Sequence, residues 1–369
     1  MQITAIEIWT VVVPTIPGRV HSPSIISETG WDQIPKQIIR LKTDSELVGV
    51  GETQRGVALD EVRLGAQKLL GRNPETLTLQ NIYEAPTTGD ETSLHIGDGP
   101  AYDAFEMAVF DLVGKMHGVP VHALLGGAIR ERVQADYWMG QQTPADSQRT
   151  VERALSLGFK GVKIKCQLED QMVERLKAIL DVAGPDFKVT VDPNERFYTA
   201  PQTIDLAHQL AALGNVEVFE DPIPKSDLAG YIEIHEAIRI PLAMHLSDGP
   251  AIVRGLKAGV LDCVNLNGGL VGFQHNAVVA AAGGLQCWHG SGNDLGIMET
   301  SYIHAAAAAP NCTMASDFVG GWTRVDDLIV DPVPFEDGFT PTPTQPGLGC
   351  ILDETALQRY TKAYEQIQR

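Results

Sequence analysis

Cysteine and aromatic residues are scarce in this sequence. Only 5 of its 369 residues are cysteine and 6% are aromatic, whereas 36 are glycine. The cysteines are odd in number, lie far apart and lack the paired spacing of a zinc site, which argues against both a disulfide framework and a zinc-binding fold. This composition suits an α/β enzyme from a reducing compartment.

Basic residues are fewer than acidic residues in this sequence. The chain has 28 Lys and Arg against 47 Asp and Glu, which gives a formal net charge of -19 and a pI near 4.9. A field of this sign repels nucleic acid and anionic membranes, so we expect neither as a partner. An anionic small substrate would need a local positive site.

Long hydrophobic runs are also absent from the sequence. No stretch approaches the roughly 18 apolar residues that a membrane-spanning helix needs. The stretch from Met1 to Trp9 alternates polar and apolar residues as a strand does, and it lacks the basic and apolar regions of a signal peptide. We therefore expect a soluble, cytoplasmic protein.

The chain does contain enough apolar residues for a large core. It is 44% hydrophobic, and its length exceeds one average domain but matches a barrel with an accessory domain. Residues 1–127 show short alternating segments followed by helical periodicity, which predicts a small α+β domain. The predicted strands are Ile3–Val13, Gln37–Lys42 and Leu47–Glu52, and the predicted helices are Ala58–Leu70 and Ala101–His117.

From Arg132 onward, short apolar segments alternate with helical segments. Seven or eight such units are typical of a (β/α) barrel, although an open doubly wound sheet would give a similar pattern. We predict the barrel over residues 128–328, and we predict that residues 329–369, ending in a helix over Glu354–Gln368, pack back on the first domain. The predicted barrel strands are Val133–Met139, Gly161–Cys166, Phe187–Val191, Val216–Phe219, Leu242–Met244, Cys263–Leu266, Leu285–Trp288 and Thr313–Ala315.

Two lysines stand at the end of the second predicted barrel strand. Side chains alternate along a strand, so Lys163 and Lys165 share one face. On an edge strand they would face water. In a barrel they would point to the centre, where an ammonium group is tolerated mainly near a functional site with anionic partners.

Polar residues also close the other apolar segments. Each alone has an ordinary explanation, such as a loop cap or an ion pair, but catalytic residues of a barrel lie at the C-terminal ends of its strands. Two amines, two carboxylates, two imidazoles and one amide at one end of the barrel therefore indicate a site. The residues are Lys163, Lys165, Asp192, Glu220, His245, Asn267 and His289.

Three of these strand ends carry motifs of a known family. Lys163-Ile-Lys165, Asp192-Pro-Asn194 and Glu220-Asp-Pro222 resemble the K-x-K, D-x-N and E-D/E-P strand ends of the mandelate racemase and muconate lactonizing enzyme branch of the enolase superfamily. Ala108 to Lys115 and Leu124 to Gly127 resemble the segments that lead into that family's barrel. The resemblance implies an α+β capping domain over a (β/α)7β TIM-type barrel, a divalent metal ion, and abstraction of a proton α to a carboxylate.

The sequence departs from the family pattern at two strand ends. The fifth strand, where the family has a third acidic metal ligand, ends in His245, with Asp248 three residues later. The sixth strand ends in Asn267 instead of lysine or aspartate. A pair of lysines across the barrel is therefore excluded, and His289 is left opposite Lys163 and Lys165.

The resemblance implies that Asp192, Glu220 and His245 bind the metal, with Asp248 as the alternative to His245. Carboxylate oxygens suit Mg²⁺, which is the ion we expect. A neutral imidazole in place of a carboxylate shifts the preference toward Mn²⁺, iron or zinc, so Mn²⁺ is the alternative.

These residues predict a dehydratase of sugar acids or related hydroxy acids. Lys165 would remove the α-proton, Lys163 would bind the substrate carboxylate, and His289 would donate a proton to the departing β-hydroxyl group. Substrate contacts are expected from Asn194, Asn267, Asp294, Glu299, Trp31 and Arg55, in part from capping-domain loops that also contain His95.

Two other functions fit the same residues. A racemase or epimerase of a small carboxylate would use the same enediolate, with His289 protonating the opposite face. A metal-free barrel that only binds a carboxylate would also tolerate the altered third ligand, whereas cycloisomerisation is disfavoured without a lysine on the sixth strand. In each case we expect a small carboxylate as the ligand and a homo-oligomeric protein.

Overall fold

The N-terminal part of the chain is an antiparallel sheet covered by helices. The computed structural model describes residues 1–25, 31–77 and 101–368. The strands are rich in Ile, Val and Thr, which suit a pleated, half-buried surface, and β1, β2 and β3 pair in chain order. The elements are β1 (Ile3–Pro14), β2 (Gln33–Thr43), β3 (Val48–Glu52), α1 (Leu59–Leu69), α2 (Tyr102–His117) and α3 (Val121–Leu124).

Helix α2 packs directly on β3 because β3 presents glycine to it. An added Cβ at Gly49 would lie 2.0 Å from the carbonyl oxygen of Ala108, and one at Gly51 would lie 1.9 Å from that of Ala104. Only glycine permits such an approach of two backbones. This contact fixes the end of β3, which carries Glu52 toward the rest of the molecule.

The following residues form a TIM-type α/β barrel. Strands β5 to β11 pair in parallel and in chain order as one seven-stranded sheet. No helix in the described part of the chain is long and apolar enough to span a membrane. The elements are β4 (Arg132–Gln134), β5 (Tyr137–Met139), α4 (Pro144–Ser156), β6 (Gly161–Lys165), α5 (Met172–Ala183), β7 (Lys188–Asp192), α6 (Ala200–Ala211), β8 (Val216–Glu220), α7 (Leu228–Ala237), β9 (Leu242–Leu246), α8 (Gly249–Ala258), β10 (Cys263–Leu266), α9 (Gly269–Ala282), β11 (Gln286–His289) and α10 (Gly296–Ala308).

Residues 311–317 connect the two edges of this sheet. Cys312 forms a parallel bridge with Cys287 of β11, and Ser316 forms one with Ala135, close to β5. The predicted strand Thr313–Ala315 is not a regular strand in the structure. The segment changes partner from one edge to the other within a few residues, so it pairs only at single positions.

The C-terminal segment divides the predicted first barrel strand. β12 (Phe339–Pro341) pairs antiparallel with β4, so Val133–Met139 is not one strand. Its first residues leave the barrel to pair with β12, and only β5 joins the parallel sheet.

The predicted helix over Glu354–Gln368 is wrong in its second half. Helix α11 covers only Glu354–Tyr360, and Thr361–Gln368 forms β13, which pairs antiparallel with β1. The edge of β1 offers backbone hydrogen bonds along this segment, and these outweigh a weak local preference for helix. Within residues 1–25, 31–77 and 101–368, the N-terminal sheet thus has four strands, in the order β13, β1, β2, β3.

Two carboxylates of the N-terminal domain cap helices of the barrel. Glu52 accepts the backbone N–H of Leu295 at 2.7 Å, at the start of α10. Glu106 accepts the N–H of Leu270 at 2.6 Å, at the start of α9. Helix N-termini have unpaired N–H groups and a partial positive charge, so a carboxylate is favoured there. These contacts fix the N-terminal domain against the barrel near the C-terminal ends of β10 and β11.

Candidate active site

The two lysines of β6 face carboxylates on other strands. Lys165 is in register with Asp192 of β7 and is ion-paired with it. Lys163 is buried, and its ammonium nitrogen lies 3.0 Å from Asp192, 2.8 Å from Glu220 and 2.5 Å from Asp317. Both amines therefore point into the barrel, where the carboxylates neutralise them.

The ends of β8 and β9 bring together a cluster of possible metal ligands. Glu220, Asp221 and His245 each offer a ligand atom within 4.8 Å of the others. Asp221 also accepts the backbone N–H of His245 at 3.0 Å and the ammonium of Lys225 at 2.6 Å. Asp221 therefore orients the end of β9, while the Glu220 and His245 side chains face each other.

The site carries more negative charge than its lysines balance. Burial, with the neighbouring Asp192 carboxylate, raises the pKa of Glu220 to about 8. Despite its own burial, Asp192 has a pKa well below its usual range because Lys163 and Lys165 lie beside it. Lys163 alone does not offset the buried charge of Glu220, so a further cation is favoured there. Glu220 and Asp221 with the His245 imidazole form a ligand set that suits a divalent metal ion. Asp192, the other carboxylate expected from the sequence, is paired with Lys163 and Lys165. The residues present therefore fit the metal that the sequence resemblance implies.

His245 is better placed than Asp248 to complete this set. Asp248 is exposed, and its carboxylate accepts the backbone N–H of Ala251 at 2.8 Å as the cap of α8. The Nδ1 atom of His245 lies 3.9 Å from Glu220 Oε1. Burial and the two nearby lysines lower the pKa of His245 to about 3, so the imidazole is neutral, as a metal ligand must be.

His289 is held in one orientation at the end of β11. Its ring lies between Phe273 and Tyr302, with centroid distances of 4.4 and 4.2 Å. Its Nδ1 lies 2.6 Å from the carbonyl oxygen of Gly290, so Nδ1 carries the hydrogen. Nε2 is buried without a hydrogen-bond partner among the described residues, and burial lowers the pKa of His289 to about 4. The neutral ring thus presents a lone pair at Nε2, the form of a proton acceptor.

Asp294 belongs to a buried polar network that touches His289 through Tyr302. Its carboxylate accepts from Lys36 at 2.6 Å and from the Tyr302 hydroxyl at 3.0 Å. Lys36 also lies 3.0 Å from Glu52. Asp294 therefore links Tyr302, which packs on the His289 ring, to Lys36 of the N-terminal domain.

Glu299 of α10 is held in a buried ion pair with Arg324. Its carboxylate accepts two hydrogen bonds from Arg324, at 2.9 and 2.7 Å, and the backbone N–H of Gly320 at 2.8 Å. Both members of the ion pair are buried. The structure does not bring Glu299 to the lysines, and its contacts are those of a structural ion pair.

Trp31 and Asn194 lie beside Lys165. All three line a cavity of about 30 Å³. Trp31 stacks on Trp138 of β5 with ring centroids 5.3 Å apart, and the guanidinium of Arg55 lies 5.0 Å from the centre of the Trp31 ring. These capping-domain residues therefore lie at the barrel mouth, whereas His95 is outside the described residues.

Asn267 lies on the other side of the barrel mouth. It lines a second cavity, of about 20 Å³, together with His289. The strand-end residues thus divide between a Lys165 side and a His289 side.

Sequence reasoning missed Asp317 and Lys36. Asp317 follows a segment without a regular strand, so no strand end marks it. Lys36 lies on β2, and nothing in the local sequence shows that it reaches Asp294 across the domain boundary.

Two family models match most of the chain. The model described as "Enolase C-terminal domain-like" matches residues 146–356. The model described as "Mandelate racemase / muconate lactonizing enzyme, N-terminal domain" matches residues 8–126. The matches cover both the barrel and the N-terminal sheet and helices.

Individual relatives differ in the reactions that their names describe. The chain is 24% identical to an N-succinyl-L-Arg/Lys racemase of Bacillus cereus, with 98% of each chain covered. It is 27% identical to a probable glucarate dehydratase of Streptomyces coelicolor, covering 92% of this chain and 88% of the relative. The crystal structure of the Bacillus cereus racemase superposes with a TM-score of 0.82 over 100% of both chains at 22% identity, which shows the common fold.

Proposed function

Because this chain belongs to the mandelate racemase / muconate lactonizing enzyme family of the enolase superfamily, we propose that it is a racemase or epimerase of a small carboxylate. In this reaction one side of the site removes the proton α to the carboxylate and the other side returns a proton to the opposite face. We also propose that the barrel is of the (β/α)7β type, with residues 311–317 in the position of the eighth strand.

The form of His289 is the observation that carries this proposal. Its buried Nε2 lone pair is a proton acceptor, whereas Lys165, paired with Asp192, is an ammonium group that can donate. Strands β6 and β11 are separated by β5 and residues 311–317, so the two side chains approach from different sides. A resting acceptor and a resting donor are what proton exchange between two faces requires.

A bound metal ion and Lys163 would hold the substrate carboxylate. Asp192, Glu220 and His245 are proposed to bind one divalent ion, Mg²⁺ or alternatively Mn²⁺. When bound, this ion would stabilise the negative charge that develops on the carboxylate as the α-proton leaves. Lys163, which is held among three carboxylates, is proposed to contribute to carboxylate binding.

Dehydration of a sugar acid is the second candidate. The similarity to a probable glucarate dehydratase favours it, and it would use Lys165 as the base and His289 as the acid. Its weakness is that a His289 with a pKa near 4 carries no extra proton at neutral pH. The charge balance at Glu220 disfavours the third candidate, a metal-free binding protein.

Incubation with substrate libraries in deuterium oxide separates the three candidates. N-acyl amino acids and sugar acids would be tested with Mg²⁺ or Mn²⁺ present and followed by proton NMR. A racemase or epimerase exchanges the α-proton for deuterium and forms the second stereoisomer without losing a hydroxyl group. Conversion of a sugar acid to a 2-keto-3-deoxy acid would establish dehydration instead, and ligand binding without exchange, in a protein that binds no metal, would support a binding protein.

A further inference from the structure

The two residues that depart from the family pattern contact each other. His245 is the next-to-last residue of β9 and Asn267 follows β10, and these strands pair in parallel. The Asn267 amide lies next to the imidazole Nε2 of His245 and to two backbone carbonyl groups. The amide therefore joins the proposed metal site to the turn after β11.

The hydrogen bonds of Asn267 determine which way its amide faces. Two carbonyl oxygens, of Leu266 at 2.8 Å and of Gly290 at 3.1 Å, lie on one side of it. Carbonyl oxygens only accept, so that side must be the NH₂ group. The amide oxygen then lies 2.9 Å from Nε2 of His245, and the amide nitrogen lies 3.3 Å from it. The two hydrogens of the NH₂ group are used by the two carbonyl oxygens, so the nearer amide oxygen is the partner of Nε2. An amide oxygen only accepts, so Nε2 carries the hydrogen.

We propose that Asn267 is a positioning residue that fixes the tautomer of His245 and so makes Nδ1 its metal-binding atom. With the hydrogen on Nε2, the lone pair is on Nδ1, which is the atom 3.9 Å from Glu220 Oε1. An acceptor on the second ring nitrogen is the usual way in which proteins orient a metal-binding histidine. The inference rests on the proposed function, since it assigns the third ligand of the proposed metal site.

Asn267 also anchors the carbonyl group that holds His289. The carbonyl oxygen of Gly290 accepts from His289 Nδ1 at 2.6 Å and from the Asn267 amide at 3.1 Å. An added Cβ at Gly290 would lie 2.3 Å from Asn265 Oδ1, so this turn is closely packed. The Asn267 amide thus orients both His245, the proposed metal ligand, and His289, the proposed proton acceptor.

Two substitutions at Asn267 distinguish its hydrogen bond to His245 from its hydrogen bond to Gly290. Asn267→Asp keeps an acceptor for His245 Nε2–H but loses the donor to Gly290. Asn267→Leu loses both. Asn276→Leu is the matched control, because Asn276 donates to the backbone carbonyls of Ser247 and Asn267 in the same loops.

Mn²⁺ titration without substrate tests the assignment by calorimetry. Asn267→Leu should weaken Mn²⁺ binding by roughly 10- to 100-fold, whereas Asn267→Asp and Asn276→Leu should bind as the wild type does, within a few-fold. The tautomer is read independently from ¹⁵N NMR of histidine-labelled, metal-free protein, with His245→Gln to identify the signals. Wild type and Asn267→Asp should show hydrogen on Nε2, and Asn267→Leu should lose this single form.

The outcomes distinguish this inference from the proposed function. Wild-type affinity in Asn267→Leu, or hydrogen on Nδ1 of His245 in the wild type, would overturn the role of Asn267 alone. A wild-type protein that binds neither Mn²⁺ nor Mg²⁺ would overturn the metal site and the proposed function with it. Equal weakening in Asn276→Leu would show that the loss is a general loop disturbance and would also refute the inference.

Discussion

The neutral state of His289 has a direct consequence for the pH dependence of catalysis. Its pKa is lowered by burial to about 4, so the accepting form persists as pH falls until that value is reached. An ordinary imidazole would lose this form near pH 6.5. We therefore expect the rate of α-proton abstraction by His289 to stay level down to about pH 5 and to halve near pH 4.

Initial rates of deuterium incorporation across this range measure the effect. The stereoisomer used should be the one whose exchange survives in Lys165→Ala, because His289 alone then removes its proton. A midpoint near 6.5 would show that His289 is solvated in the working enzyme and would contradict its assignment as a buried acceptor.

Lys163 holds three buried carboxylates together. Its substitution by methionine keeps the length of the side chain but leaves Asp192, Glu220 and Asp317 without their shared ammonium group. Removing one partner of a buried ion pair costs about 3–5 kcal/mol. We expect Lys163→Met to lose about this much free energy of unfolding in the absence of metal, measured by urea denaturation.

The exposed Lys177 on α5 supplies the control for this variant. Lys177→Met should unfold like the wild type. Addition of Mg²⁺ should stabilise Lys163→Met more than the wild type, since a cation would replace the lost charge. If Lys163→Met and Lys177→Met were equally stable, the carboxylates around Lys163 would be protonated or hydrated and would not depend on its ammonium group.

Sequence patterns located most of the candidate site because the strand ends are local features. Lys163, Lys165, Asp192 and Glu220 each close an apolar segment, and in a barrel such positions meet at one end. Position alone was the guide for Glu299, and the structure pairs it with Arg324, a partner that no local pattern indicates.

At the scale of secondary structure, Glu106 connects the two domains through the first turn of α9. It is buried and accepts the N–H groups of Leu270 and Val271 at 2.6 and 3.1 Å. Loss of these bonds leaves buried donors unsatisfied, which costs about 1–3 kcal/mol. Glu106→Ala should therefore lower the free energy of unfolding by this amount in chemical denaturation. Glu152→Ala, at an exposed position in the interior of α4, should have no measurable effect, and a similar loss in both variants would refute a specific cap.

The barrel strands β6 to β11 were predictable to within one or two residues, whereas the first and last barrel strands and the end of the chain were not. Each of the strands β6 to β11 is a short apolar segment bounded by polar residues, and its pattern is complete in itself. The strand β13 depends on β1, to which it pairs from the opposite end of the chain. Its residues Thr361–Gln368 alone do not show that partner, so helix periodicity misled the prediction.

Across the whole molecule, buried neutral histidines make stability sensitive to acid. His304 of α10 accepts the backbone N–H of His122 at 3.1 Å through Nδ1 and contacts the carbonyl of Leu348 at 3.0 Å through Nε2. Burial lowers its pKa to about 4. Below pH 6.5 the unfolded chain binds a proton that the folded chain does not, so stability must fall as pH decreases toward 4.

His304→Asn should reduce this pH dependence. The shift in pKa corresponds to about 3 kcal/mol at most, reached at low pH and absent at pH 7. Urea denaturation at pH 7 and pH 5 should therefore show a smaller difference for His304→Asn than for the wild type. An unchanged difference would mean that His304 is protonated in the folded state.

Proton exchange on both faces of one substrate tests the central claim most directly. Once screening has supplied a substrate, each of its α-stereoisomers would be incubated in deuterium oxide with Lys165→Ala and with His289→Asn and followed by proton NMR. The account predicts that neither variant interconverts the stereoisomers, that Lys165→Ala still exchanges the α-proton of one stereoisomer, and that His289→Asn still exchanges that of the other. If Lys165→Ala exchanges neither stereoisomer while His289→Asn still exchanges one of them, Lys165 is the single base of the enzyme. That result would contradict the account.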